Sequence, residues 1–438
     1  MKIDNYITKE KIMKKLILLS TIASATLFAT NGDLMIGDGA KATGMGGVGM
    51  AVSHGAESLY ANPAMIKDVK GSEFTGYATM FQPDVNFKSD AHPQLTSAMT
   101  ATSKSDADRS FIPGFAYVHR NNDNIVWGIS LAGTAGMGTD YKKAKSNSGA
   151  FGMQTELGIA KLSVPVAYTS GDLTVAVAPV LQYSTLEINY QTPAGASQNK
   201  KDSSVGLGVS AGLAYDLGDL TLGGLYKSKI AANYKGNISN AMRDFGVRSV
   251  TSGDQLDQPA EIGVGAAYKM GNNTFAFDAK QVQWGDATGY KDFGWENQNV
   301  FALGYQYATA TWGVRAGYNY GKSPIQELEG ATSFDNAAVN FFNLSGFPAI
   351  VEQHYTLGAD YSLSKALTLS FAGVYSPEVS NSFDTTAMTY GMAYGGALQQ
   401  GATQAQAQAG AGQAAANGST ANVTHSQTAV TVGATYVF

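Results

Sequence analysis

The sequence lacks cysteine, is poor in charged residues and has no long apolar run after its first thirty residues. Without cysteine the chain can form no disulfide, no thiolate nucleophile and no cysteine-ligated metal site. Charged residues make up 14% of the 438 positions, which is low for a soluble protein. A helix that crosses a bilayer needs about 20 consecutive apolar residues, so a helical membrane protein is disfavoured as well.

Neither sign of charge dominates the chain. It has 29 basic and 34 acidic residues, and no basic patch that would predict binding to nucleic acid. The five histidines are scattered without ligand-like spacing, and no nucleophile has an evident base and acid partner. The sequence therefore predicts no metal site, no cofactor and no enzyme activity.

Strict alternation of polarity is the feature that the chain does have. From Val205 to Tyr215 the odd-numbered residues are apolar, whereas the even-numbered ones are Gly, Ser or Ala. Successive side chains of a strand point to opposite faces, so this segment has one apolar face and one small or polar face. Repeated along the chain, the pattern is typical of a transmembrane β-barrel whose apolar face meets lipid.

We predict fourteen such strands, joined alternately by tight turns and by long loops. The predicted strands are 73–87, 109–119, 125–139, 157–168, 172–190, 203–216, 219–234, 259–269, 274–286, 297–308, 311–321, 351–363, 366–376 and 427–438. Bacterial outer-membrane barrels have an even number of strands, with short turns at one end and longer loops at the other. A soluble β-sandwich has no reason to alternate in this way. The predicted fold is an all-β, fourteen-stranded antiparallel transmembrane barrel over residues 73–438.

The C-terminal part of this barrel sequence carries two further signals. The loop 377–426 contains a tract rich in Ala, Gln and Gly at 399–421, which we expect to be exposed and mobile, or transiently helical. The last strand ends in Phe438, and its outward parity resembles the C-terminal signal that the barrel assembly machinery reads. That machinery is therefore an expected partner of a chain that we expect to be a monomer.

The first thirty residues resemble an export signal. Lys14 and Lys15 precede a short apolar core, and small residues follow up to Ala25. Met13 is an alternative start, and Ala29 is an alternative to Ala25 as the cleavage position. Because the apolar core is short, a membrane anchor is the weaker reading. Export together with the barrel pattern predicts the outer membrane of a Gram-negative-type cell.

Residues 31–72 lack two-residue alternation, yet they are too apolar for a free tail and too few for a domain. A fourteen-stranded lumen is too wide for wall side chains to fill, so we expect this segment to plug it as a hatch. Gly44–Gly49 matches the dinucleotide fingerprint, but no strand, helix or βαβ unit surrounds it. Close packing of backbone is the better explanation of these glycines.

The hatch also carries the residues of a resemblance. Gly44–Gly49 and the following Glu57–Ala64 resemble the plug of the FadL-type family, the outer-membrane transporters of long-chain fatty acids and aromatic hydrocarbons. Asn62-Pro63-Ala64 is the hallmark tripeptide of that family. Shorter matches follow in order along the chain, at residues 83–86, 226–229, 315–325 and 347–355. Any one motif is weak, but the ordered set covers residues 31–438.

The resemblance implies a route for hydrophobic cargo. Members of that family pass apolar molecules sideways into the outer membrane, through a gap where the third strand bends inward. Gly136 lies where family members kink, with Gly133 and Gly138 as alternatives, whereas packing alone would also explain small residues here. We hypothesise that Asn62, Pro63 and Ala64 hold the hatch against the kinked strand. The alternative is a simple turn into the first strand.

The identity of the cargo is left open by the sequence. Known fatty acid transporters hold the carboxylate with basic residues, one of them on the fifth strand, but residues 183–190 here contain no Lys or Arg. Lys227, Lys280 and Arg315 on inward parity are candidate carboxylate contacts, unless they pair with lumen acids. A neutral hydrocarbon fits equally well. An apolar cluster in the loop 322–350 is either a capture site or a packed lid, and consists of Phe341, Phe342, Leu344 and Phe347.

The function predicted from all of these features is passive transport of hydrophobic molecules across the outer membrane. Its expected partners are the hydrophobic cargo and membrane lipid. A structural or adhesive surface protein, with the loop 377–426 in contact with other cells, is the alternative. A non-specific porin is disfavoured because a plugged lumen conducts poorly.

Overall fold

The computed structural model describes residues 30–91, 101–144, 149–192 and 195–438, so the predicted export signal lies outside the described residues except for Thr30. Within these ranges fourteen wall strands form one closed antiparallel barrel, in which the last strand pairs with the first from Ala421↔Ser89 to Val437↔Glu73. The wall strands are β1 Ser72–Ser89, β2 Ser110–Arg120, β3 Ile125–Asp140, β4 Gln154–Ser163 continued by Val166–Ser170, β5 Leu173–Thr192, β6 Asp202–Leu217, β7 Leu220–Lys227, β8 Glu261–Met270, β9 Asn273–Val282, β10 Gln298–Ala308, β11 Trp312–Gly321, β12 Gln353–Ser362, β13 Leu367–Asp384 and β14 Thr420–Val437. Short paired segments lie at Thr30–Asn31, Leu34–Met35, Ser103–Lys104 and Gly195–Gln198. The predicted fold class is confirmed.

The outer surface of the barrel is apolar because the predicted alternation faces outward. On β6, Val205 and Leu207 are 56% and 78% exposed, and Leu213 and Tyr215 follow on the same parity. Neighbouring strands expose equally large side chains such as Val264. An apolar belt of this extent is typical of a lipid-facing barrel wall.

Several strand boundaries differ from the prediction for identifiable reasons. β7 ends at Lys227 rather than at residue 234, and the following residues pair with the segment before β8 through the isolated bridges Ile230↔Gln258 and Asn233↔Gln255. β4 is interrupted before Val166, where Pro165 lacks an amide donor. β13 does not end at Ser376. A bulge between Ser376 and Val379 accommodates Pro377. Beyond it β13 and β14 remain paired as far as Asp384↔Thr420.

Residues 30–71 lie inside the barrel, and we call them the hatch. After the paired segments Thr30–Asn31 and Leu34–Met35 they form short turns of helix, consistent with their lack of alternation: α1 Ala40–Gly44, a 3₁₀ turn Gly55–Glu57, α2 Ser58–Ala61 and a 3₁₀ turn Pro63–Asp68. Their apolar side chains are buried almost completely, with Met45, Val48 and Ile66 at 0% exposure. The hatch therefore serves as the hydrophobic core that a wide barrel lacks.

Helices cover the end of the barrel where the loops are long, here called the long-loop end. They are α3 Asn237–Asp244, α4 Phe334–Gly346, α5 Thr386–Gln399 and α6 Gln404–Ala414, with 3₁₀ turns at Trp284–Asp286 and Tyr290–Phe293. Within the Ala- and Gln-rich tract, which we expected to be mobile or transiently helical, residues Gln404–Ala414 form α6, which starts with a capping box of Thr403 and Gln406. Ala407 and Ala411 are completely buried where α6 packs on α5. In the part of the chain that the structure describes, no helix is long and apolar enough to cross a membrane.

Candidate functional site: a bulged wall strand, the hatch and a lysine-lined cavity

The third strand loses its β2 neighbour halfway along its length. β2 and β3 pair from Arg120↔Val126 to Gly114↔Ala132, and no β2 residue pairs with β3 beyond that point in the described residues. A bulge lies between Gly133 and Ala135 in the register with β4, and β3 stays paired with β4 as far as Asp140. Residues 135–139 are all buried, so both faces of this part of β3 are covered. Of the predicted kink glycines, Gly133 borders the bulge, whereas Gly136 and Gly138 follow it.

The hatch occupies the place that β2 leaves on β3. Leu34 pairs with Ala135, and the Gly136 amide donates to the Asp33 carbonyl oxygen at 2.9 Å. The Asp33 side chain accepts hydrogen bonds from Gln258 Nε2 at 3.0 Å and from the Tyr290 hydroxyl. Burial raises the pKa of the Asp33 carboxyl to about 6. Residues 30–36, here called the latch strand, thus join β3 to two loops of the long-loop end.

The body of the hatch is fixed to the opposite wall. Asp278 on β9 accepts from the Gly49 and Met50 amides at 2.8 and 3.0 Å. The Gly46 amide donates to Thr356 Oγ1 at 2.9 Å, and its carbonyl oxygen accepts from Asn319 Nδ2 at 3.0 Å. These contacts involve hatch backbone, so they hold the path of the chain rather than individual side chains.

Strand glycines allow this close approach. A Cβ added at Gly223, Gly317 or Gly358 would overlap hatch backbone at Met50, Gly46 or Gly44 respectively. The sequence analysis did not single them out. Glycine in a strand interior, which often marks a site where another backbone approaches, is the signal that would have found them.

The tripeptide Asn62-Pro63-Ala64 packs against β6, not against the bulged part of β3 as we expected. The Asn62 side chain is completely buried; its Nδ2 donates to Leu213 O at 3.1 Å and to Met50 O at 2.6 Å. Its Oδ1 accepts from the Ala64 amide and starts the 3₁₀ turn. Asn62 therefore connects two turns of the hatch to β6.

Replacing Asn62 by Ala is expected to loosen the hatch without unfolding the barrel. The change removes the hydrogen bonds that Asn62 donates to Met50 O and Leu213 O and accepts from the Ala64 amide, at a cost of about 1–3 kcal/mol. Planar-bilayer recordings should show more frequent transient openings than wild type. Asn121→Ala, in an exposed turn between β2 and β3, is the control. Equal opening frequencies in the two variants would contradict the anchoring role.

A cavity of about 80 Å³ lies between the hatch and the wall. Part of its lining is apolar and part carries charge. The apolar part includes Leu34, Met35, Leu59, Val180, Val209 and Ile230, and the charged part consists of Asp38, Lys161, Lys227, Glu261 and Lys280. Ser130 and Thr134 of β3 also line it, so the cavity borders the bulge.

The charges in this cavity are unevenly paired. Glu261 is held between Lys280 Nζ at 2.9 Å and Lys227 Nζ at 3.3 Å. Lys161 on β4 forms no ion pair within 4 Å among the described residues. Sequence reasoning missed Lys161, although it lies mid-strand on inward parity as Lys227 does.

The structure brings two of the three predicted basic residues into the cavity and places the third elsewhere. Lys227 and Lys280 line it, whereas Arg315 pairs with Asp360 and donates from Nε to Gln306 at 2.8 Å. Arg315 is 6% exposed and its Cβ lies beside Gly44 of the hatch. Its contacts are those of a residue that supports the packing of α1.

The predicted apolar cluster of the loop 322–350 is packed rather than open. Phe341, Phe342 and Leu344 on α4 are at most 1% exposed, and Phe347 is partly buried against the same core. Thr139 of the bulged strand donates to the Ser345 carbonyl oxygen at 2.7 Å at the C-terminal end of this helix. This burial favours the lid over the capture site.

Within the described ranges no group of three or more metal-ligating side chains occurs.

Comparison with known proteins places this architecture in a family. The model of the outer membrane protein transport protein family (OMPP1/FadL/TodX) matches residues 16–426. The long-chain fatty acid transport protein of Escherichia coli O6:H1 is 24% identical over 374 residues, which are 73% of this chain and 82% of that protein. Outer membrane protein P1 of Haemophilus influenzae is 20% identical over 74% of this chain and 81% of that protein.

Solved structures share the fold at low sequence identity. The toluene transporter TodX of Pseudomonas putida superposes with a TM-score of 0.63 at 17% identity, over 93% of this chain and 100% of that one. A FadL homologue of Pseudomonas aeruginosa gives a TM-score of 0.62 at 14% identity, over 92% and 99% of the two chains. These likenesses concern the fold alone. With the family model matched over most of its length, the chain belongs to the outer membrane protein transport protein family (OMPP1/FadL/TodX) and is a β-barrel of the outer membrane.

Proposed function

We propose that this protein carries long-chain fatty acids, or amphiphiles of the same shape and charge, passively across the outer membrane. The carboxylate of the cargo binds at the lysines of the cavity, and its acyl chain leaves sideways between β2 and β3. The names of the E. coli relative and of the toluene transporter support cargo of hydrophobic character. The choice of an anionic head group rests on this chain's own residues.

The observation that carries the proposal is the charge balance of the cavity. Three lysines face two carboxylates there, so one positive charge has no counterpart. An unpaired buried charge is costly, and a ligand carboxylate would supply the missing partner. The apolar side chains beside the lysines would accept the acyl chain. A neutral hydrocarbon fits the apolar part but leaves Lys161 unpaired.

The sideways exit rests on the loss of pairing beyond Ala132. The cavity reaches β3 at Thr134, where the wall no longer has β2 as a neighbour and the latch strand pairs with β3 at Ala135 instead. Separation of Leu34 from its partner Ala135 would open a path from the cavity to lipid. A vertical pore filled with water offers an acyl chain no favourable environment, whereas lipid does. We propose that Gly133, Gly136 and Gly138 permit this bend in β3.

Uptake of labelled oleate and labelled toluene into liposomes tests this function. Replacing Lys161 by Gln is expected to lower oleate uptake about tenfold at limiting concentration, since one charge-assisted hydrogen bond is lost, and to leave toluene uptake unchanged. Lys365→Gln, at an exposed turn, is the control. An equal effect on both cargoes would contradict carboxylate recognition, and transport of neither cargo by wild type would favour the adhesive alternative.

A further inference from the structure

The chain that follows β7 folds back against the inner face of β6, and we call residues 228–234 the inner segment. The Ser228 amide donates to the Val209 carbonyl oxygen of β6 at 2.9 Å. Two residues later, Ile230 and Gln258 exchange backbone hydrogen bonds of 3.1 and 2.9 Å. The inner segment is therefore held on one side by β6 and on the other by the chain before β8. Its Ile230 side chain is 4% exposed and has a fixed position beside the cavity, which it lines.

Two glycines of β6 provide the space that Ile230 fills. Gly206 and Gly208 lie on inward parity, since Val205 and Leu207 face outward. A Cβ added at Gly206 would lie 2.5 Å from Cγ2 of Ile230, and one at Gly208 would lie 2.6 Å from its Cγ1. The Ile230 side chain thus rests directly on strand backbone, as it can do only where the wall has no side chain. The two glycines form the floor of a slot that Ile230 occupies.

This slot continues the cavity along β6. Ser210, the next inward residue after Gly208, lines the cavity, and so does Ile230 itself. Successive inward residues of a strand are about 7 Å apart, so the glycine floor begins one step from the cavity lining. At about 80 Å³ the cavity is too small to enclose a long apolar chain. A long cargo must therefore extend beyond it, and Ile230 closes the direction along β6.

We propose that Ile230 is a specificity-determining residue, which fills the glycine slot and thereby restricts the site to carboxylates with a single unbranched chain. This inference rests on the proposed function. A carboxylate at Lys161 places the first carbons of the cargo beside Ile230, because both residues line one small cavity. A straight chain passes this side chain toward β3, where Ser130 and Thr134 also line the cavity. A branched or polycyclic body needs width next to the head group, and that width is the slot that Ile230 occupies.

The fixed backbone of the inner segment makes this exclusion effective. Because Ile230 is hydrogen-bonded to Gln258 through both of its backbone groups, its side chain cannot move away without breaking that bridge. A bulky cargo therefore overlaps a well-packed side chain, which is costly, whereas a straight chain gains apolar contact with it. Selectivity of this kind comes from a clash with the wrong cargo and needs no additional attraction for the right one.

Laurate and adamantanecarboxylate carry the same head group on a straight chain and on a compact polycycle, and their Kd values for the purified full-length barrel test the proposal. Ile230→Ala empties the slot, so we expect the Kd for adamantanecarboxylate to fall about tenfold. The Kd for laurate should rise about threefold, because the chain loses apolar contacts. Ile325→Ala is the matched control and should bind both acids as wild type does. Ile325 is also 4% exposed and also lies in an isolated bridge, but it does not line the cavity.

A change at the floor of the slot should act in the opposite direction. Gly208→Ala places a methyl group where the Ile230 side chain lies, and this pushes that side chain toward the cavity. We expect the Kd to rise for both acids. Adding Ile230→Ala to Gly208→Ala should bring the Kd for laurate back down, because the two positions share one space. A further rise in the double variant would contradict the slot.

The outcomes separate the role of Ile230 from the function on which it rests. If the ratio of the two Kd values is the same in Ile230→Ala and wild type, or shifts equally in Ile325→Ala, the role of Ile230 is overturned while carboxylate recognition stays intact. If Lys161→Gln binds both acids as wild type does, carboxylate recognition itself fails. Heat-modifiable migration on gels verifies that each variant forms a closed barrel, so weak folding is not mistaken for altered selectivity.

Discussion

Replacing Gly223 by Val is expected to turn the closed barrel into an open pore. Gly223 lies on the inner face of β7, and a Cβ there would overlap the carbonyl oxygen of Met50 and approach the amide of Ala51. Because both groups belong to hatch backbone that Asp278 also holds, no side-chain rotation relieves the overlap. Expulsion of the hatch leaves a lumen wide enough to hold water.

Steady ion conductance in planar bilayers measures this effect. We expect the conductance of Gly223→Val to be about tenfold or more above wild type, as for a barrel without a plug. The adjacent Gly224 provides a matched control, since it faces lipid and its added Cβ would lie 3.8 Å from the nearest atom, on Leu213. Gly224→Val should conduct as wild type. Closed channels in both variants would show that the hatch is not in contact with β7 in the membrane.

Joining Leu34 to Ala135 by a disulfide is expected to stop uptake. The two residues are direct partners between the latch strand and β3, and such partners have Cα atoms about 4.5 or 5.5 Å apart, within the range that a disulfide spans. The chain has no cysteine of its own, so the introduced pair cannot exchange with another. Oxidised protein should transport oleate at the background rate, and reduction should restore transport.

A second cysteine pair separates blocked movement from general stiffening of the barrel. Leu357 and Gly373 are partners between β12 and β13, and both face away from the lumen. A disulfide at this pair should leave uptake unchanged under oxidising conditions. Transport by the oxidised Leu34/Ala135 variant at the wild-type rate would mean that the latch strand stays on β3 during uptake, and would exclude the sideways exit proposed here.

The two experiments address different parts of one hatch. Gly223 lies where the hatch body is fixed, and its substitution removes the plug entirely. Leu34 lies in the latch strand beside the bulge, and its cross-link prevents a smaller movement. If the hatch body at Gly223 only supports and the latch strand moves, the first change raises ion conductance without cargo, whereas the second abolishes uptake without altering conductance.

Much of the fold was predictable because the signals for its strands and turns are local in the sequence. The wall strands show period-2 alternation over most of their length, and most tight turns carry Gly, Asn or Asp, so the fourteen strands could be counted without knowledge of their neighbours. Errors arose where a tertiary contact overrides the local signal. β13 passes Pro377 because β14 supplies a register that tolerates a bulge, and residues 228–234 pair with residues 255–258 of the following segment through isolated bridges instead of continuing β7.

The candidate site was predictable only in part, for a related reason. Inward parity pointed to Lys227 and Lys280, which do line the cavity, but also to Arg315, which pairs with Asp360. Parity states which face a side chain takes, and it does not state which side chains across the lumen it meets. Lys161 and Asp38 belong to the same cavity although they lie on a distant strand and on the hatch.

The sequence by itself determined that this protein is an outer-membrane barrel of fourteen strands with an apolar outer face and a separate segment for its lumen. Those features follow from alternation, turn length and composition, which each stretch of chain carries alone. Only the tertiary structure decided that Asn62 contacts β6, that the latch strand replaces β2 beside the bulge, and that three lysines share one cavity with Asp38. Such contacts depend on strand stagger around the barrel and on the path of the hatch through it, and no local pattern encodes either.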